Sequence, residues 1–364
     1  MGKLILAINP GSTSTKISVY EDTKEVFTKT LRHSNEELAP YKNVIDQLEF
    51  RKETIKAALA ENNIDLKSLA IIVGRGGLVK PIPSGVYEVN QAMIEDIKSG
   101  KNGEHASNLG AIIANELVKE IGGIKALIAD PVVVDELEPV ARISGHAAFP
   151  RVSIFHALNQ KAIAKLYAKE NGKNYADLNI IVAHLGGGVS VGIHSKGRVI
   201  DVNDALRGEG PFSPERSGGL PAAAVVDACF SGKYTKDEVK RKLVGKGGAV
   251  AYFGTNDMRE VGARAAAGDE AALKTVVDAL IGEHGAGLDK MGKAHALVGK
   301  ELASLVCEVI FAIFRYCRCP DEGIRTLRLG SECKRAVVIV EEAVNEATVF
   351  VGVCIDIRLY PNNG

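Results

Sequence analysis

Leu4-Ile-Leu-Ala-Ile-Asn9-Pro-Gly-Ser-Thr-Ser-Thr-Lys16 is the stretch that decides the fold. A second stretch, Asn179-Ile-Ile-Val-Ala-His184-Leu-Gly-Gly-Gly188-Val-Ser-Val-Gly192, repeats its pattern. Each begins with an apolar run of the length expected for a buried strand and turns through small residues into a second strand. Small residues let the backbone approach a ligand closely, and their amides can surround an anion. Two such hairpins predict two related domains that bind one phosphate-bearing ligand.

Length and composition agree with two ordinary globular domains. At about 150 residues per domain, 364 residues indicate two, and we place them at 1–150 and 151–364. The 45 basic and 45 acidic residues balance, so no global field favours nucleic acid or a membrane. The longest apolar stretch, 303–314, is interrupted by Glu308 and is too short to cross a bilayer. Since a strand begins almost at the first residue, we expect no signal peptide and a cytoplasmic protein.

Strand-like and helical segments alternate along the chain, which predicts α/β layering. Strands are expected at 68–73 and 126–130, and a Gly/Pro/Ser-rich loop at 204–220 is too long to be a passive connection. Helical periodicity marks 36–62, 91–99, 107–120, 154–171, 222–229, 235–243 and 257–268.

Two arginines stand in loops that glycine and proline shape. Arg75 lies among three glycines directly after a predicted buried strand, at a strand end where α/β folds place ligands. Arg216 lies in Pro211-Phe-Ser-Pro-Glu-Arg-Ser-Gly-Gly219. Two rigidly presented arginines favour joint recognition of two anions. The alternative for Arg75 is a surface arginine in a flexible turn.

Other candidate groups follow the same hairpins and strand ends. The first turn carries Asn9, Ser12, Ser14 and Lys16, and the alternative there is an ordinary hairpin turn. Strand ends or helix boundaries carry His105, His184 and Asp130, and a lone histidine is also a common structural residue. The sequence contains no Walker motif, and no intact G-x-G-x-x-G follows a predicted strand. The P-loop and Rossmann modes of nucleotide binding are therefore weakly supported.

Two further features have competing interpretations. Gly245-Lys-Gly-Gly248 resembles an anion nest, but a helix stop followed by a turn explains it equally well. Cys317, Cys319 and Cys333 would be candidate zinc ligands, yet paired spacing and a nearby histidine are missing. We interpret the cysteines as free thiols in a reducing compartment.

Motifs in register from residue 4 to about 280 carry a family resemblance. The sequence resembles the butyrate kinases of the acetokinase family, within the actin-like, sugar-kinase and Hsp70 superfold. The segments that carry it are Ile8-Asn-Pro-Gly-Ser-Thr-Ser-Thr-Lys16, Arg75-Gly-Gly-Leu78, Lys80-Pro-Ile-Pro83, Asn102-Gly-Glu-His-Ala-Ser-Asn-Leu-Gly110, Asp130-Pro-Val-Val-Val-Asp-Glu136, Ser153-Ile-Phe-His-Ala-Leu-Asn-Gln160, His184-Leu-Gly-Gly-Gly188, Pro214-Glu-Arg-Ser-Gly218 and Gly254-Thr-Asn-Asp257.

The resemblance implies reversible, Mg²⁺-dependent phosphoryl transfer from ATP to butyrate or a similar short-chain fatty acid. It implies duplicated actin-like (ribonuclease H-like) domains with mixed sheets and a ligand cleft between them, in a homo-oligomer. Arg75 would hold the substrate carboxylate and Arg216 the transferring phosphoryl group. His184 would donate a hydrogen bond to an equatorial oxygen, with His105 in support.

The remaining candidates are assigned by the same resemblance. Asn9 and Asp130 would position Mg²⁺ directly or through water. The residues that face the phosphates of ATP would be Ser12, Ser14, Lys16, Gly186, Gly187 and Gly188. Gly77 and Ala183 stand where acetate kinases have bulky apolar residues, which would widen the acyl pocket. Since a buried CH₂ contributes only about 0.8 kcal/mol, selectivity for acyl length should be modest.

From about residue 281 the sequence departs from the family. Leu329-Gly-Ser331 is at most a remnant of the Gly-Gly turn that holds the adenosine, and Tyr360-Pro-Asn-Asn-Gly364 lacks the acidic residue that follows in relatives. Our hypothesis is an altered reading frame or accumulated drift. Two alternatives to a butyrate kinase therefore stay open: a catalytically impaired or non-catalytic relative, and a branched-chain or propionate kinase.

Overall fold

The protein consists of two compact units, Met1–Asp135 and Glu136–Gly364, in a computed structural model. The structure describes residues 3–269, residue 272 and two strands near the C-terminus, 335–344 and 347–356. Within those residues no helix combines the length and the apolar character needed to span a membrane. The sequence-based boundary near residue 150 stays a prediction, because a compact unit is not by itself a domain.

The first unit is built on a six-stranded mixed sheet in the order β3-β2-β1-β4-β6-β5. Strands β1, β4 and β6 run parallel, while β2 and β3 continue from β1 as an antiparallel meander and β5 pairs antiparallel with β6. The strands are β1 Leu4–Pro10, β2 Ser14–Glu21, β3 Lys24–Arg32, β4 Leu69–Arg75, β5 Val86–Glu88 and β6 Lys125–Ala129. Alternate residues such as Leu6 and Ile8 are buried, as the two-residue period of a strand requires.

Helices cover this sheet and meet the predicted positions closely. They are α1 Asn35–Leu38, α2 Leu48–Glu61, α3 Gln91–Ser99 and α4 Asn108–Ile121. Helix α4 packs so tightly on β4 that a Cβ at Gly74 or at Gly110 would overlap the backbone of the other element. Each of these two positions therefore requires glycine.

The single helix predicted over 36–62 is wrong in its first half. Helix α1 ends at Leu38, and a 3₁₀ turn, Val44–Gln47, precedes α2. Pro40 stands in the break, where it has no amide hydrogen to continue a helix and restricts the residue before it.

The second unit repeats the arrangement of the first around a five-stranded sheet in the order β10-β11-β7-β8-β9. Strands β7, β8 and β9 form an antiparallel meander, and β11 pairs parallel with β7 as β4 does with β1. The strands are β7 Asn179–Leu185, β8 Val189–Ser195, β9 Arg198–Val202, β10 Arg335–Val344 and β11 Ala347–Asp356. This repetition is the duplicated, mixed-sheet α/β architecture that the two hairpins predict.

Four helices of the second unit agree with the sequence pattern, α8 was not predicted, and the 204–220 loop contains no helix or strand. The helices are α5 Ala157–Glu170, α6 Ala222–Phe230, α7 Lys236–Leu243, α8 Gly248–Phe253 and α9 Met258–Ala266. Helix α5 places Ala164 and Tyr167 against Ile180 and Val182 of β7 in a buried cluster.

Most of the atypical segment from about residue 281 lies outside the described residues. The zinc hypothesis for Cys317, Cys319 and Cys333 lies outside them too. The exceptions, β10 and β11, were not predicted as strands. Cys229 is a free, exposed thiol.

Candidate active site

The carboxyl edge of the first sheet gathers three predicted site residues of the first unit. Ile8 of β1 lies opposite Gly74 of β4, so Asn9 and Arg75 follow side by side, and Arg75 Nη1 lies 3.4 Å from Asn9 Oδ1. Arg75 lies opposite Ala129 of β6, which places Asp130 next along the same edge. Carboxyl ends of neighbouring parallel strands are where α/β sheets bind ligands.

The loop after Arg75 is held against the start of α4. Leu78 N donates to Asn108 Oδ1 over 2.8 Å, and Asn108 Nδ2 donates to Gly103 O over 3.1 Å. A Cβ at Gly77 would lie 2.6 Å from Asn108 Cα, closer than real Cβ contacts. Glycine at 77 thus permits this close approach, and its effect on the acyl pocket stays a prediction.

Asp130 is both buried and held in an unusual backbone conformation. Its φ of 37° lies in the left-handed region, which a non-glycine residue rarely adopts. Its Oδ1 accepts from Ser84 Oγ at 2.6 Å and from Gly85 N at 2.9 Å. Strained residues held by their surroundings concentrate at functional sites, so this geometry agrees with the predicted role.

His105 is oriented by the residues that begin α4. Ser107 N donates to His105 Nδ1 over 3.2 Å, and Ser107 Oγ lies 2.8 Å from the same nitrogen. Because Nδ1 accepts from an amide, the neutral ring carries its hydrogen on Nε2. His105 is therefore a hydrogen-bond donor through Nε2.

The first turn exposes its small side chains and is held from the other side. Ser12 is exposed, Ser14 and Lys16 are half-buried, and Lys16 lies opposite Asn9 in the ladder. Arg51, which sequence reasoning did not select, is 1% exposed and donates to the carbonyls of this turn. Its sequence signal is an arginine on the apolar face of α2, in line with Ile55, Ala58 and Leu59.

The second turn begins at His184, the last but one residue of β7. Asn159 Nδ2 lies 2.8 Å from His184 Nδ1, and an amide nitrogen can only donate, so the neutral ring carries its hydrogen on Nε2. A Cβ at Gly186 would lie 3.0 Å from that Nε2, which places the donor over the glycine turn. A donor at this position is compatible with the role that the resemblance implies for His184, which stays a prediction.

A second histidine that the sequence did not single out stacks on the first. The rings of His156 and His184 lie 3.7 Å apart at 13°. His156 Nδ1 is 2.8 Å from Ser190 Oγ, which in turn accepts from Gln160 Nε2 over 2.8 Å. His156 was visible in the sequence only as part of the family motif 153–160.

Behind His156 the polar chain continues into the core. His194 is fully buried, and it lies between Gln160 Oε1 at 3.0 Å and the Tyr175 hydroxyl at 2.8 Å. Burial, and then the charge of Lys161, lower the pKa of His194 to about 3, so the ring is neutral at pH 7. Because Gln160 Oε1 only accepts, His194 donates through Nε2 and Tyr175 donates to Nδ1.

Arg216 lies directly against the second turn. Its Nη1 donates to Ala205 O, and a Cβ at Gly188 would overlap the same nitrogen. Ser213 links the second turn to the Arg216 loop, because its Oγ donates to Gly187 O over 3.2 Å and accepts from Arg216 N at 3.1 Å. Arg216 Nε is buried without a hydrogen-bond partner among the described residues. A buried, unsatisfied donor of a charged group is costly, which indicates a ligand acceptor.

The 245–248 glycines are explained by the helix-stop interpretation. Gly245 N donates to Glu215 O over 2.7 Å, and Lys246 N donates to Arg241 O over 2.8 Å. Two amides that an anion nest would use are therefore occupied by carbonyls. The turn supports the Arg216 loop instead.

The described residues contain no group of three or more His, Cys, Asp or Glu side chains suited to hold a metal ion. Mg²⁺ in phosphoryl transfer usually keeps waters and binds one or two carboxylates together with substrate phosphates. The buried carboxylate of Asp130, on the same sheet edge as Asn9, fits that sparse arrangement.

Residues 151–299 match the acetokinase family. The chain is 62% identical to butyrate kinase 1 of Clostridium acetobutylicum over 266 residues, 73% of this chain and 75% of that protein. It is 59% identical to butyrate kinase 2 of the same organism over 271 residues, 74% of this chain and 76% of that protein. These shares agree with the predicted extent of the resemblance.

Solved structures of similar fold include two acetate kinases. That of Porphyromonas gingivalis has a TM-score of 0.69 at 15% identity, covering 98% of both chains. That of Entamoeba histolytica has a TM-score of 0.63 at 14% identity, covering 96% of both chains. At this level of identity the likeness concerns the fold alone, and it agrees with the predicted actin-like architecture.

Proposed function

The chain belongs to the acetokinase family, and we propose that it transfers the γ-phosphoryl group of ATP to butyrate, giving butyryl phosphate and ADP. The reaction is reversible, and the butyrate carboxylate attacks phosphorus in line. Relatives that are 62% and 59% identical are named butyrate kinases. The structural observation that carries the proposal is Arg216, a half-buried arginine whose buried Nε has no hydrogen-bond partner among the described residues and whose Nη1 lies against the glycine turn of the second unit.

The chemistry needs positioned cations and donors more than an acid or a base. A carboxylate with a pKa near ~4 is ionised at pH 7, so no general base is required. The barrier arises from bringing two anions together and stabilising a loose, in-line transition state. Arg75 binds the carboxylate of butyrate, and Arg216 binds the transferring phosphoryl group. Each arginine offers a planar fork of donors suited to such oxygens.

The histidines act as neutral donors to the phosphoryl oxygens. In both His105 and His184 the hydrogen bond to Nδ1 leaves the proton on Nε2. His156, stacked on His184, supports the orientation of that ring and is a second candidate donor. Preorganised donors of this kind contribute about 10²–10³-fold each in rate.

ATP enters with Mg²⁺, which neutralises charge on the β- and γ-phosphates when bound. Asp130 and Asn9, whose Oδ1 accepts from Arg75, would hold the ion directly or through water. Ser12, Ser14, Lys16 and the glycines 186–188 contact the phosphates. We further propose that the two predicted domains, 1–150 and 151–364, act on one pair of substrates, in a cytoplasmic homo-oligomer.

Trapping of the acyl phosphate tests the proposal. The protein is incubated with ATP, Mg²⁺, hydroxylamine and linear acids of two to five carbons, and the hydroxamate is measured. We expect most product with butyrate. A different optimum would redirect the proposal to that acid, and ATP binding without any hydroxamate would indicate a non-catalytic relative.

Arg75→Ala tests the role of the first cation. We expect turnover to fall by about 10³-fold or more, because the substrate carboxylate loses its counter-charge. The melting temperature should hardly change, since Arg75 is only half-buried. Arg32→Ala, which removes an exposed arginine of the same unit, is the matched control. A large fall in melting temperature for Arg75→Ala would instead support the structural interpretation of that loop.

A further inference from the structure

Arg51 binds the back of the first turn through Nη1 and Nη2, and Gln47 holds the rest of the guanidinium. Nη1 and Nη2 donate to main-chain and side-chain oxygens, and Nε donates to Gln47 Oε1 over 3.0 Å. The other acceptors are Gly11 O at 2.8 Å, Ser12 O at 2.8 Å, Ser14 O at 3.0 Å, Thr15 Oγ1 at 3.0 Å and again Gln47 Oε1 at 2.8 Å. The most distant of these acceptors in the sequence, Gly11 O, belongs to a residue 40 positions before Arg51.

Every one of these acceptors is neutral. Within the part of the chain that the structure describes, no carboxylate pairs with Arg51, although the residue is only 1% exposed. Burial alone lowers the pKa of Arg51. Buried charges in proteins are normally paired, because leaving water costs several kcal/mol per ion. An anion that binds the turn would supply the missing counter-charge.

The neighbouring histidine agrees with a positive interior. His33 Nε2 lies 2.9 Å from Thr15 Oγ1, the hydroxyl that also accepts from Arg51. Burial, and then the charge of Arg51, lower the pKa of His33, and the smaller opposing effect of Glu37 does not reverse this shift. His33 therefore adds no second positive charge next to Arg51.

The carbonyl contacts also determine where the amides of the turn point. In a trans peptide the N–H is directed opposite to the carbonyl of the same unit, and the described chain has no cis peptide. The carbonyls of Gly11 and Ser12 face Arg51, so the amides of Ser12 and Thr13 face away from it. No acceptor within the described residues binds either amide.

We propose that Arg51 is a positioning residue for nucleotide binding: it turns the Ser12 and Thr13 amides toward the polyphosphate and places an uncompensated positive charge behind them. The ligand class is the triphosphate of MgATP, and this role rests on the proposed function. Oriented amides with a cation behind them form an anion site that a hairpin turn alone would lack.

Gln47→Glu tests the charge without removing the arginine. The new carboxylate occupies the position of an amide that already accepts from Nε and Nη2, so it should pair with Arg51 side-on and preserve or raise the melting temperature. We expect the Kd for MgATP, and for inorganic tripolyphosphate, to rise about tenfold by calorimetry, since one nearby charge is cancelled. The KM for butyrate should not change.

Gln91→Glu is the control, because it adds the same charge at an exposed site of the same unit. A weakening of MgATP binding equal to that of Gln47→Glu would indicate a general charge effect and overturn the proposal. So would an unchanged Kd in folded Gln47→Glu protein, which is what a purely structural Arg51 predicts.

Arg51→Lys tests whether Arg51 orients the amides of the turn. It also provides a second test of the proposal if the Gln47→Glu protein does not fold. Lysine keeps the charge but cannot reach all the carbonyls, so the KM for ATP should rise by about fivefold or more while kcat falls less. Wild-type affinity for MgATP in Arg51→Lys would overturn the proposal. Absence of acyl phosphate from the wild type bears on the proposed reaction only, whereas a wild type that binds no MgATP defeats both.

Discussion

The two hairpin turns use an arginine in opposite ways. Arg51, behind the first turn, has neutral acceptors for its nitrogens and is 1% exposed. Arg216, beside the second turn, is half-buried and keeps Nε without a partner among the described residues. In our proposals the first arginine shapes the backbone that meets a ligand, and the second donates to the ligand itself. The same side chain would then serve as support in one repeat and as a binding group in the other.

The supports behind the two turns differ as well. The first turn rests on one cation, whereas the second rests on a chain of neutral groups that runs from Ser190 through Gln160 and His194 to Tyr175. Gly192 admits this chain, because a Cβ there would overlap Gln160 Oε1. Neutral hydrogen bonds contribute about 1 kcal/mol each, so loss of one link should be tolerated far better than loss of a cation at either turn.

Among the substitutions that test this contrast between the two turns, Arg216→Lys should have the largest effect on turnover. Lysine keeps the charge but loses the planar fork, so kcat should fall by about 10²–10³-fold while the melting temperature changes little. Hydroxamate formation at saturating ATP and butyrate measures the change. Turnover within tenfold of wild type would show that Arg216, like Arg51, acts through structure or charge alone.

Gly188→Ala should have an intermediate effect, because the new methyl group must displace Arg216 Nη1. Overpacking of this kind costs about 1–3 kcal/mol of stability. If the displacement of Arg216 raises the activation barrier by a similar amount, kcat falls by about 5–160-fold. At Gly11 an added Cβ would meet Ser14 O at an ordinary 3.5 Å, so Gly11→Ala should lose less activity.

Gly262→Ala, where an added Cβ meets no atom of the described residues outside its own helix within 4 Å, controls for the alanine itself. Equal losses for Gly11→Ala and Gly188→Ala would remove the contrast between the two turns.

Tyr175→Phe should have the smallest effect. It removes the last link of the neutral chain, the hydrogen bond to His194 Nδ1, and should lower the free energy of unfolding by about 1 kcal/mol. Urea titration measures the loss, with Tyr234→Phe at an exposed tyrosine as the control. A change in kcat beyond about threefold would show that the chain does more than support the second turn.

Local patterns predicted much of the fold. Helix α3 agrees with its predicted range at both ends, and α4 and α5 agree to within a few residues, because the apolar periodicity is local and α3 also has a capping residue, Asn90. The helix predicted over 36–62 is interrupted near Pro40. This proline is visible in the sequence, but the prediction gave more weight to the helical periodicity around it. Strands β10 and β11 were missed, because only the departure from the family pattern was considered in that segment and its own strand-like pattern was not.

The site was predicted less completely than the fold. Arg75 and His184 were selected because glycine-rich turns at strand ends mark ligand sites, and Arg216 because prolines and glycines fix the path of its loop. Arg51 was missed although it stands on the apolar face of α2, since a polar residue at such a position has meaning only once its acceptors are known. Asn159, which holds His184 Nδ1, was missed for the same reason.

The sequence by itself determined that two strand–turn–strand units of small residues recur, that helices and strands alternate, and which arginines follow strand ends. These features depend on spacing over a few residues. Only the tertiary structure decided which arginine is satisfied by backbone oxygens and which keeps a free buried donor among the described residues. Hydrogen-bond satisfaction depends on atoms brought together from positions up to 40 residues apart in the chain, such as Arg51 and Gly11, and no local pattern records it.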